Sequence, residues 1–162
     1  MDHNQAIRKW SELYKLDVVV PSEGKSVGKV EDFFFQEGSN GIYALCVRTR
    51  LHGDLSLPVT GIIAIEKDRV TIRSAQMLAR AIPPLGRGQQ LLSRKVVGTK
   101  DKELGTIKDV LLSIDPPITM RLVGFEMLHG SSSHNFNSEI VSHYNDEDNS
   151  IHIYDQSAKS LR

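Results

Sequence analysis

A chain of 162 residues fits one ordinary domain or two very small ones, and at this size about 68–70% of the unfolded surface can be buried. Lys and Arg together number 20, as do Asp and Glu, so the formal net charge is zero, which argues against a general nucleic-acid binder but leaves room for a local basic patch. The single cysteine, Cys46, excludes an internal disulfide and fits a reducing, cytoplasmic setting; the N-terminus lacks a signal peptide's apolar core, and no apolar run approaches the roughly 20 residues that span a bilayer.

In chain order, Ala6, Trp10 and Leu13 stand at helical spacing, which predicts a short N-terminal helix. Strands follow near Asp17–Pro21, Ser26–Gln36, Gly41–Arg48, Leu55–Val59 and Arg69–Arg73, divided by turns such as "PSEGK" and "QEGSNG". Ser74 to Ile82 has room for a helical turn or two before Pro83 and Pro84 stop it. A second set of strands is expected near Lys95–Thr99, Leu104–Ile114, Thr119–Leu128, Glu139–His143 and Ile151–Tyr154, with "LHGSSSHNFNSE" read as a long connection. The segment between the sets is too apolar for a flexible linker. Short strands at this spacing point to small barrels or sandwiches.

The two sets repeat each other. "SVGKVEDFFF" (Ser26 to Phe35) matches "ELGTIKDVLL" (Glu103 to Leu112) glycine to glycine, aspartate to aspartate and apolar to apolar. Aligned without gaps, Val19 and Val20 fall on Val96 and Val97, and Phe33, Phe34 and Phe35 on Val110, Leu111 and Leu112. Further along, Leu45 falls on Leu122 and Cys46 on Val123. The expected division is therefore a first domain over residues 1–80 and a second over 81–162.

The run "GKSVGKVED" with the aromatic strand after it, a Gly-rich turn and "IYALCVRT" resembles the PRC-barrel family. "WSELYKLDVVV" before it, "LSLPVTGIIAIEKDRVTI" after it and "VVGTKDKELGTIKDVLLSID" in the second copy carry the same resemblance. The family includes the barrel of the photosynthetic reaction-centre H subunit and the C-terminal domain of a ribosome-maturation factor. The resemblance implies an all-β fold: two small PRC-type β-barrels in tandem, with short helical turns at the N-terminus and linker. It implies docking on large assemblies rather than catalysis. The chain departs from both examples, lacking the H subunit's transmembrane helix and carrying a second PRC-like copy where the ribosome factor has a different barrel.

Candidate chemistry is sparse. Gly28 and Gly105 precede no helix, so they are expected at β-bulges rather than around a phosphate. Asp32 and Asp109 are the acidic residues kept in both copies; with no second titrating group repeated beside them, they are expected to accept hydrogen bonds from a neighbouring turn. The six histidines have no metal-ligand spacing, the acidic "NDEDN" lacks the glycine and final glutamate of a calcium loop, and Cys46 sits in an apolar strand. No catalytic residue, cofactor or metal is therefore assigned. A small ligand between the barrels would lack a supporting polar constellation.

Two features point to a partner. Arg80, Arg87, Arg94 and Lys95 surround the linker and could grip an acidic protein surface or phosphate. Three successive phenylalanines cannot all enter one small core, because strand side chains alternate faces; Phe34 is the one expected to point away, covered by the other barrel or the linker, or else meeting a partner. The function expected is a non-catalytic, cytoplasmic adaptor or assembly module that docks on a larger protein complex. The alternative is a ribosome-maturation or RNA-associated factor, whose binding would fall steeply with salt.

Overall fold

The computed structural model describes residues 7–154. The first half contains β1 (Ile7–Lys9), a single turn of helix α1 (Trp10–Leu13), β2 (Asp17–Val20), β3 (Lys25–Phe35), β4 (Ile42–Thr49), β5 (Gly53–Pro58), β6 (Ile62–Ile65) and β7 (Arg69–Ile72). The second contains β8 (Gly86–Arg87), β9 (Lys95–Val97), β10 (Glu103–Ser113), β11 (Arg121–His129), β12 (Ser132–Asn137), β13 (Val141–Asn145) and β14 (Ser150–Ile153). They build two curled sheets of identical plan, β5-β4-β3-β2-β7-β6 and β12-β11-β10-β9-β14-β13. In each, one parallel pair (β2 with β7, β9 with β14) sits among antiparallel neighbours. The fold is all-β, as the repeat and turn pattern predicted.

Bulges explain why the long central strands carry an irregular apolar pattern. Val30 pairs with Val47 and Asp32 with Cys46, which leaves Glu31 as an extra residue. That extra residue lets Val30 and Phe33, three apart, both face the core. Lys108 does the same between Ile107 and Asp109 in β10, aligning Ile107 and Val110 inward. A second bulge near the start of each strand accompanies the glycine: Ser26 and Gly28 pair with the consecutive Val19 and Val18, and Glu103 and Gly105 with Val97 and Val96.

These ladders correct the gap-free alignment. Val18, opposite Gly28, is the counterpart of Val96, opposite Gly105, so β2 is shifted by one residue from the sequence match. Leu45 pairs with Phe33 and Phe125 with Val110, so the counterpart of Leu45 is Phe125 rather than Leu122, and that of Cys46 is Glu126 rather than Val123. The cause is three additional residues in the second copy's turn between its central strands, which an alignment anchored on Gly and Asp alone does not register.

Other expectations shift by an element. Ile7–Lys9 is extended along β10, so only Trp10–Leu13 of the predicted N-terminal helix is helical; Ala6 lies outside the described residues. Between Ser74 and Ile82 there is one 3-10 turn, Ala75–Met77, capped where Gln76 N donates to Ser74 Oγ at 3.1 Å. The supposed connection after Leu128 contains β12, paired along β11, and Ile62–Ile65 is a strand that had not been expected. The strand expected from Glu139 begins only at Val141, because Ser138–Ile140 forms a 3-10 turn capped by Asn137.

The halves cross. β1 lies in the first half of the sequence yet pairs with β10 of the second sheet, and β8, from the second half, pairs with β3 of the first. Trp10, Phe33 and Phe35 from one half and Val110, Leu112 and Phe125 from the other belong to one continuous buried cluster. Burying each such large side chain favours folding by about 1.5–3 kcal/mol, and the cluster that does so draws on both copies.

Candidate docking surface

The repeated carboxylates explain the crossing. Asp32 Oδ1 accepts from the amides of Phe33 and Gln89, each at 2.8 Å, and Gln89 is the second residue of the 3-10 turn Gly88–Leu91. Asp109 Oδ1 accepts from Val110 N at 2.9 Å and Ser11 N at 3.1 Å, and Ser11 Oγ donates to its Oδ2 at 2.5 Å; Ser11 is the second residue of α1. Each aspartate therefore holds the turn that leads into the other copy's barrel. Burial raises the Asp32 pKa against the opposing pull of the Gln89 and Phe33 amides and of Arg87. In both carboxylates Oδ1 accepts from two backbone amides, one of them in the turn it holds.

The paired glycines are required by close approach. A β-carbon on Gly28 would lie 2.7 Å from both Arg48 O and Val47 Cγ1. On Gly105 it would collide with Leu128 O and lie 2.8 Å from Met127 Cγ.

Phe34 is fully buried, its cover supplied within the chain and not by a partner. Phe33 and Phe35 enter the shared core, while Phe34 turns to the opposite face with Ala44 and Cys46. Leu85 covers it, and the Arg87 guanidinium lies over its ring at 5.2 Å, a cation–π contact. The Cys46 thiol in this pad is pushed up to about 11 by burial and by the Asp54 carboxylate, which keeps it protonated and unreactive at neutral pH.

The four linker cations do not act together. Arg94 is buried: its Nε donates to Gln90 O at 2.8 Å and its Nη2 contacts Asp146 Oδ1 at 2.7 Å. Its burial, with Nε and Nη2 turned to Gln90 and Asp146, withdraws it from the surface. Glu37 has its pKa raised by burial and by Asp146, with Arg94 pulling the other way. Arg87 is half-buried over Phe34, leaving Arg80 and Lys95 exposed.

Sequence reasoning missed three exposed apolar residues on elements beside the meeting line of the halves. Tyr43 is 58% exposed because it is the extra residue of a bulge, Phe34 and Phe35 pairing with Ala44 and Ile42 on either side of it. Its neighbour Ile42 bonds to Met120 O, and Met120 follows the 3-10 turn Pro117–Thr119, which packs on β6. That turn carries Ile118, 61% exposed, and β6 carries Ile63, 51% exposed. Among the described residues no three His, Cys, Asp or Glu gather in metal-binding fashion, and no helix is long and apolar enough to cross a membrane.

Residues 7–77 match the family model described as PRC-barrel domain. Residues 7–77 are thus similar to a PRC-barrel domain, and the second sheet repeats the strand order of the first. No curated protein matches the chain.

Proposed function

We propose that the chain is a non-catalytic adaptor that docks on a larger protein complex in a reducing, cytoplasmic compartment. The observation that carries this reading is the set of exposed apolar side chains on adjoining elements, Tyr43, Ile63 and Ile118, beside a fold whose repeated carboxylates are committed to internal turns. Large apolar side chains grouped on a surface favour a protein partner, whose association hides them from water. The exposed cations Arg80 and Lys95, with the outer edge of Arg87, are proposed as a secondary, charge-reading contact.

The test is affinity purification of the tagged chain from its native cell, parent beside Tyr43→Ser/Ile118→Ser. Both versions should show the same circular dichroism and urea midpoint within about 0.5 kcal/mol, as surface substitutions do. The parent should retain a protein complex that the variant loses, and that capture should survive raised salt. Capture that disappears steeply with salt, or after ribonuclease treatment, would replace this reading with phosphate-backbone binding. Loss on Arg80→Glu/Lys95→Glu alone would move the docking surface to the linker.

A further inference from the structure

Ile42 N donates to Met120 O at 2.9 Å, and Leu122 N donates to Asn40 O at 2.9 Å. Ile42 and Leu122 stand in equivalent places, opposite Phe35 and Leu112, and Gly41 and Arg121 between the two bonds form a bridge with each other. The relation extends outward from this point. Copy one sends β1 and α1 to β10, where Asp109 holds Ser11; copy two sends β8 and its turn to β3, where Asp32 holds Gln89. One residue meets another, and the second residue's counterpart meets the first's. That is the pattern of an isologous two-fold interface between separate molecules.

We infer that this seam is a self-sufficient association surface whose occupant is another barrel of the same kind: the halves of this chain recognise each other as two subunits would, by exchanging their leading arms. Two further contacts bind across it. Tyr144 Oη donates to Asn40 Oδ1 at 3.3 Å, and the rings of Phe35 and Tyr144 meet edge to face at 5.7 Å. The covalent linker contributes little to this recognition, since Ala79–Ile82 is exposed and the arm from Gly86 is already docked on the first sheet.

Cutting the folded, full-length chain tests this. A specific protease site placed between Arg80 and Pro84 is cleaved under native conditions; if the insertion disturbs the fold, brief trypsin cleavage of the parent at Arg80 serves instead. The nicked halves should elute together at the size of the intact chain and re-form that species after separation in urea. Their melting midpoint should rise by about 3–6 °C for each tenfold increase in concentration, as for an associating pair, while that of the uncut chain stays fixed. Halves that elute apart at micromolar concentration, or whose joint melting does not respond to concentration, would overturn the inference.

Discussion

Gly88 and Trp10 open equivalent turns, and Phe33 and Val110 are the equivalent residues next to the aspartates that hold those turns. A β-carbon on Gly88 would run into the Phe33 ring, while Trp10 packs edge-on against that same ring with centroids 5.1 Å apart. The second copy reverses the sizes, a large turn residue with a smaller strand residue. Gly88→Ala should therefore destabilise the parent by about 1–3 kcal/mol through overpacking, and clearly less in a Phe33→Val background, as a double-mutant cycle by urea melts would record. Gly105→Val should cost a similar amount, about 1–3 kcal/mol, by pressing on the Leu128 carbonyl; an unchanged midpoint would mean β11 yields freely. Asp109→Ala removes the acceptor for Ser11 and should cost about 1–2 kcal/mol, the usual worth of a cap. Cys46 should resist a thiol reagent in the native state and react once urea has exposed it, in keeping with its raised pKa and burial.

At the level of elements, the β1 arm is fastened by charge as well as by its ladder. Glu126 on β11 accepts from Ser133 Oγ at 2.7 Å and lies 3.3 Å from Lys9 Nζ and 3.8 Å from Lys108 Nζ. The Ser133 hydroxyl, then Lys9 and Lys108, hold its pKa below the usual carboxylate value despite opposing desolvation. A depressed folded-state pKa stabilises above the unfolded value, and that contribution fades as the pH falls through the lower folded value. Glu126→Gln should thus lower stability by about 0.5–1 kcal/mol at pH 7, with the gap to the parent closing as acidification protonates the folded carboxylate. The elements themselves were unevenly legible in the sequence. The long strands β3 and β10 announce themselves through Gly, Asp and their apolar runs, and the turns through Pro, Gly and Asn. β12 was hidden because "SSHNFN" exposes all but Phe136, so it carries almost no alternation to read. Register was hidden too, since each bulge breaks the period of two and the three extra residues before β11 leave no mark on the shared anchors.

For the whole molecule, the sequence disclosed the doubling but not the crossing, because nothing in a linear repeat says which copy its leading turn will join. The candidate site followed the same division. Asp32 and Asp109 were legible as turn acceptors from their repetition, whereas the burial of Arg94 depends on Asp146, 52 residues away, and the exposure of Tyr43 on a bulge. We propose that the boundary between the copies lies near residues 80–81, with neither copy complete without the other's arm. The fused arrangement has a consequence for how such a protein can change over time. In a symmetric pair made from one gene, every substitution appears twice and must suit both places at once. Here each lands once, which is how Cys46 can line an apolar pad beneath Leu85 while its counterpart Glu126 pairs with Lys9. One flank is free to acquire a new recognition task while its twin keeps the scaffold intact.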